Sequence, residues 1–316
     1  MEISTSEEPE IIVQEDTVVT KPELRKTKLI LTIASLVLIL IAIVLLWVYV
    51  PSFKTYFSDI PVHFYYFLVA GFIFAMIDGA IGMSYGVTST TFSLSMGIPP
   101  ASASTAVHLS EILSNGIAGL MHYKMGNVNI KLFKLLVIPG IIGAMIGAFL
   151  LSSLEHYSNY TKPVISIYTL ILGTVILIKA FNLRRKRGEV KRKKKIKNIS
   201  ALGFGGGLID AVGGGGWGSI VLSSLIAGGR HARFSLGSVK ASRFFVAFMS
   251  SLTFITMLKG LHWEAIGGLV IGSAIASPIA ARVSNRISAK SIMVAVGVIV
   301  ILVSLKSIIT FILKMI

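Results

Sequence analysis

The hydrophobic residues of this chain run in blocks rather than alternating with polar ones. Blocks at 29–50, 63–96, 101–122, 132–153, 163–182, 198–227, 234–258, 263–284 and 290–313 are separated by short polar stretches. A membrane-crossing helix needs about 20 mostly apolar residues, and most of the blocks have that length. Two blocks, 63–96 and 198–227, are too long for one crossing, and glycines interrupt both. The pattern predicts an all-α polytopic membrane protein with two broken or re-entrant segments. The block at 29–50 is longer than a signal-peptide core. It predicts an extra N-terminal transmembrane helix behind a polar, disordered tail at 1–28.

The blocks repeat. A shift of 132 residues lays AGFIFAMIDGAIGMSYGVT (70–88) on LGFGGGLIDAVGGGGWGSI (202–220) without a gap. Asp78 then meets Asp210, Gly82 meets Gly214, Tyr85 meets Trp217 and Gly86 meets Gly218. In the same register STAVHLSE (104–111) falls on LGSVKASR (236–243), so His108 meets Lys240 and Glu111 meets Arg243. A duplicated, glycine-broken hydrophobic unit is a transporter signature. The expected organisation is a tail (1–28), an extra helix (29–50), one transporter repeat (63–182), a basic loop (183–197) and a second repeat (198–314).

Composition agrees with lipid as the solvent. The 316 residues are 54% hydrophobic and only 14% charged, against about 25% charged in a soluble domain. The net charge of +16 is concentrated in RRKRGEVKRKKKIK (184–197), with ten basic residues and one acid. Such a run reads as a cytoplasmic loop under the positive-inside rule, with anionic lipid contact as a further role and no nucleic-acid role. Placing it and the N-terminus inside requires three full crossings per repeat, each broken segment entering and returning on its own side or crossing twice as a hairpin. The repeats are then inverted in the plane of a plasma membrane. With no cysteine in the chain, disulfides and thiolate chemistry are excluded.

The chemistry is expected at the breaks. Glycine runs permit left-handed backbone and close approach, and a helix restarting inside the membrane presents N–H groups and a positive dipole end to an anion. The candidate substrate-binding residues are Gly82, Ser84, Tyr85, Gly86, Gly214, Gly215, Gly216, Trp217 and Gly218, with Lys240 and Arg243 adding charge. Close helix packing through small residues is the structural alternative. Intramembrane ionisable groups are functional candidates, so Asp78, Asp210, His108 and Glu111 are assigned to coupling or gating. Asp78 and Asp210 have two readings, a proton carrier and a capping acceptor for the broken backbone. A Glu111–Arg243 ion pair across the repeat axis is expected, while Lys240 and His108 could attract an anion. GGGGWG (213–218) formally fits a dinucleotide-binding pattern, but no strand precedes it. HLSE (108–111) lacks a second His or carboxylate set, so no metal is expected. Two GxxxG patterns, Gly143 to Gly147 and Gly268 to Gly272, predict close helix contacts, and Pro139 and Pro278 kinks or helix ends. No hydrolase or phosphotransfer motif appears, and neither an enzyme nor a cofactor is expected.

At these residues the chain resembles the TauE/SafE family of sulfite exporters. The likeness rests on GLIDAVGGGGWGSIVLSSLIAGG and its weaker copy AMIDGAIGMSYGVTSTTFSLSMGIPP, with ASASTAVHLSE, GIAGLMHYKMGNVN and GIIGAMIGAFL, across roughly 64–313. It implies a permease for small anions, such as sulfite, sulfoacetate and other sulfur-containing or organic acids, with the glycine-rich motifs as carry-over sites. Repeat 1 departs from the pattern where Met83, Ser84 and Tyr85 replace much of the glycine run. An anion channel of the same fold and a membrane assembly protein are the alternatives.

Overall fold

The computed structural model describes residues 59–182, 198–283 and 289–315, together with Val48 and Ile196. The chain divides into Met1–Ile60 and Pro61–Ile316, and the second unit holds nearly all of the described residues. The expected tail, the extra helix (save Val48) and the basic loop (save Ile196) lie outside the described residues.

The helices are α1 (Val62–Ile81), α2 (Tyr85–Ser95), α3 (Pro100–Lys124), α4 (Ile130–Ser153), α5 (Ser158–Asn182), α6 (Ile199–Gly213), α7 (Ser223–Ala227), α8 (Ala232–Met257), α9 (Trp263–Val283) and α10 (Ala289–Met315). A π turn at Gly218–Leu222 precedes α7. No strand occurs among the described residues. The 132-residue register holds throughout: α3 begins at Pro100 and α8 at Ala232, and α2 begins at Tyr85 where the π turn's N-cap is Trp217.

Local chemistry sets the boundaries. Pro100 opens α3 at a position that needs no N–H. Asn129 and Asn198 cap α4 and α6 by accepting from Leu132 N at 2.9 Å and Ala201 N at 3.0 Å. Both α1 and α6 stop on a left-handed glycine, Gly82 (φ 79°) and Gly214 (φ 64°). An L side chain pays a steric penalty there. Pro139 lies inside α4 and does not end it, and α9 likewise runs through position 278.

Helices of the two halves pack by exchange: α1 lies against α9 and α6 against α4, α3 against α9 and α8 against α4. The remaining main pairs, α3 with α8 and α5 with α10, join equivalent helices. The GxxxG glycines lie where the first two of these pairs touch. A Cβ on Gly143 would lie 2.1 Å from Phe204 O, and one on Gly272 2.2 Å from Leu68 O. These contacts run in parallel, Gly203 on Leu136 and Gly147 on Leu208, so α6 enters from the end where α4 begins. Gly228, just past α7, abuts Ile196 just before α6, so the second broken segment returns to the end it entered from. In the first, Phe64 lies on Gly267 near the start of α9, while Leu94 and Ser95 at the far end of α2 line a pocket with Asn159 and Tyr160 near the start of α5.

By length and apolarity Val62–Gly79, Ile130–Ser153, Glu155–Phe181 and Lys290–Leu313 qualify as membrane spans. The central helices α3 and α8 are 25 and 26 residues long and are not among them. Their inner faces bury Ser104, Ser110, Ser238, Ser242 and Ser250. A helix face that meets protein rather than lipid can carry such groups, whereas the outer helices expose Ile138, Ile142, Phe149, Ile171 and Leu302.

Candidate functional site

The two breaks meet. A Cβ on Gly86 would lie 2.7 Å from Gly215 Cα, and one on Gly215 2.4 Å from Gly86 C, so glycine is required on both sides of the crossing. Thr90 Oγ1 donates to Gly214 O at 2.5 Å and Ser219 Oγ to Met83 O at 2.8 Å, which ties each hairpin to the other. Tyr168 of α5 donates to Gly215 O at 2.5 Å.

Each break carries the same local device. Asp78 Oδ1 accepts from Ser84 N at 2.9 Å and Tyr85 N at 3.2 Å, and Asp210 Oδ1 accepts from Trp217 N at 2.8 Å. A carboxylate one turn before the left-handed glycine thus caps the backbone as it becomes helical again. The capping reading of both aspartates describes this geometry. Three of the N–H groups expected to cradle an anion, those of Ser84, Tyr85 and Trp217, are bonded in this conformation to the protein's own carboxylates.

The second charges come from the opposite half. Lys240 Nζ lies 2.7 Å from Asp78 Oδ2, and in the equivalent pair His108 Nε2 lies 3.3 Å from Asp210 Oδ2. Arg243 binds Glu111 through Nε at 3.0 Å and also through Nη2. That pair maps onto itself when the halves are exchanged. One contact breaks the equivalence: Arg243 Nη1 donates to Asp210 Oδ1 at 2.9 Å. Its counterpart would set Glu111 beside Asp78, two like charges. Lys240 and His108, the two groups expected to attract an anion, each face an aspartate in this structure. Three carboxylates, Asp78, Asp210 and Glu111, surround two cations, Lys240 and Arg243, with His108 beside Asp210.

A void of about 20 Å³ lies at the crossing, enough for about one water. Asp78, Gly82, Tyr85, Gly86, Glu111, Gly216, Trp217, Gly218, Lys240 and Arg243 of the sequence-derived set line it, joined by Met83, Val87 and Val239. Ser84, Gly214, Gly215, His108 and Asp210 stand behind that wall. The rings of Tyr85 and Trp217 are packing anchors. Trp217 is fully buried in the core around α4, α6 and α8, its Nε1 donating to Val239 O at 3.3 Å. Tyr85 sits in the core around α1, α3 and α9, its hydroxyl donating to Ser110 Oγ at 2.8 Å.

Asp210 joins His108 and Glu111 so that one ligand atom from each lies within 4.8 Å of the others. The Arg243 guanidinium is bonded to both carboxylates, so the position a cation would take is already positively charged. Sequence reasoning missed Met83, Tyr168 and Lys179. Tyr168 and Lys179 come from α5, outside the repeated motif, and no spacing links them to it.

The family model described as Sulfite exporter TauE/SafE matches residues 67–307. A curated relative, "Probable membrane transporter protein YtnM" of Bacillus subtilis (strain 168), is 38% identical over 251 residues, covering 77% of this chain and 82% of the relative. No solved structure matches the chain.

Proposed function

The chain belongs to the TauE/SafE sulfite exporter family and is a multi-pass membrane transporter, and from that premise we propose that it is a secondary carrier of small anions. The substrate class is sulfur oxyanions, organosulfonates or related organic acids, moved by alternating access between two inverted repeats. The observation that carries this reading is the crossing of two glycine breaks beside ionic side chains drawn from both halves. Hairpins entering from opposite ends support the inverted arrangement, and the basic run at 184–197 supports a plasma-membrane orientation with that loop cytoplasmic.

In this reading the anion takes over, as the hairpins part, the hydrogen bonds that Asp78 and Asp210 make to Ser84, Tyr85 and Trp217. Lys240 and Arg243 then supply charge to the substrate. A proton entering with the anion, held among Asp210, His108 and Glu111, keeps the charge of the cluster constant. A cavity at the crossing with room for about one water supports a carrier over a channel, which would need a continuous wet path.

The test is counterflow of labelled sulfite, thiosulfate, sulfoacetate and carboxylates in proteoliposomes. Saturable exchange, weakened when Lys240→Ala and Arg243→Ala are combined, is expected. Large single-channel currents, or no flux of any of these anions, would overturn the reading.

A further inference from the structure

The cations expected to meet the substrate, Lys240 and Arg243, are both paired with carboxylates. Lys179 is not. It lies on α5, three residues before the helix ends at Asn182. A lysine near a helix end ordinarily extends toward the membrane surface. This one turns toward the second hairpin: its Nζ donates to Ser223 Oγ at 2.7 Å and to Ser219 O at 3.2 Å. An ammonium has three donors, so one remains, and no carboxylate is paired with Lys179 among the described residues.

Its partners lead to the crossing. Ser219 Oγ donates to Met83 O at 2.8 Å, and Ser223 Oγ lies 3.7 Å from Met83 Sδ. Met83 lines the central void beside Asp78, Lys240 and Arg243. The π turn at Gly218–Leu222 carries Ser219 and runs directly into Ser223, and such widened turns recur at functional sites. The 132-residue register puts Phe311 opposite Lys179, so the charge belongs to the second hairpin's side alone. That side is the end where residues 183–197 join α5 to α6.

We propose that Lys179, with Ser219 and Ser223, forms an anion station on that face, separated from the central void by Met83. A small oxyanion accepts from the free ammonium donor and from the two serine hydroxyls, which rotate toward it. Met83, unbranched and adaptable, divides this station from the crossing. The station gives the carrier an affinity confined to that face, whereas the ionic cluster lies at the crossing between the halves. It rests on the reading of the protein as an anion carrier.

The experiment compares wild type, Lys179→Gln and Lys179→Arg, full length and in oriented proteoliposomes, with labelled sulfite applied to either face. Glutamine keeps hydrogen-bond donors and removes the charge. Expected is a KM for Lys179→Gln raised roughly tenfold at the face bearing residues 183–197, as loss of one charge-assisted hydrogen bond implies. The opposite-face KM stays near wild type, the maximal rate from the affected face rises in proportion to its KM as detailed balance requires, and Lys179→Arg recovers the lost affinity. An unchanged KM at both faces, or an equal loss at both with a lowered Tm, overturns the station. If wild type moves no sulfite, the carrier reading fails first, and sulfite-induced thermal stabilisation in detergent still decides Lys179. Stabilisation of wild type but not of Lys179→Gln supports the station; equal stabilisation of both, or none of either, overturns it.

Discussion

The two breaks share a backbone and differ in charge. In each, a helix ends on a left-handed glycine and an aspartate one turn earlier caps the chain as it restarts. Asp78 faces one lysine, and both side chains are 15% exposed. Asp210 faces a histidine and an arginine and is completely buried. Duplication therefore fixed the scaffold, and divergence on α3 and α8 assigned the charges. The first break carries one ion pair, whereas the second carries an aspartate–arginine pair with a histidine added to it.

The largest expected effect comes from the contact that breaks the equivalence. Arg243→Met leaves Glu111 and Asp210 buried without their cation, a loss of about 3–5 kcal/mol. Thermal unfolding in detergent should show it, while Lys240→Met, at the more exposed pair, should cost well under half as much; equal losses would erase the contrast. Next comes the crossing itself. Gly215→Val and Gly86→Val each force backbone apart at a contact with no room for a Cβ, costing about 1–3 kcal/mol and abolishing counterflow. Retained flux in either would remove the crossing from the transport path.

A smaller effect sharpens the role of the proton. His108→Lys makes the second break resemble the first. Histidine is the group in this cluster whose ordinary titration falls between about pH 5 and 8, and Asp210, Glu111 and Arg243 all face it. Uptake by the variant should lose its dependence on pH across that range. A pH profile like that of wild type would return His108 to a purely structural place. Least of all, Tyr85→Phe removes the hydroxyl bonded to Ser110 and should lower stability by about 1 kcal/mol with transport intact. Strongly impaired transport would make that hydroxyl part of the substrate path rather than a packing anchor.

Much of this arrangement is legible in the chain. The 132-residue register paired Asp78 with Asp210 and Gly82 with Gly214 because identical local backbone needs leave identical residues. It also indicated the Glu111–Arg243 ion pair, since two opposite charges in equivalent membrane helices have few other partners. The register could not show that Lys240 belongs to Asp78 and His108 to Asp210, because those bonds cross between halves. Nor did it predict that α3 and α8 would fail as apolar spans, since their polar faces are tolerated only inside the bundle.

The sequence by itself determined that this protein lives in lipid, that it is duplicated, and where its helices break, because hydrophobic block length and glycine placement are local properties. The tertiary structure decided what the breaks touch. It set Gly86 against Gly215, bonded three N–H groups of the expected anion cradle to the protein's own aspartates, and turned Lys179 from helix α5 onto Ser219 and Ser223. Those are long-range contacts made by packing helices far apart in the chain, and no local pattern of residues encodes them.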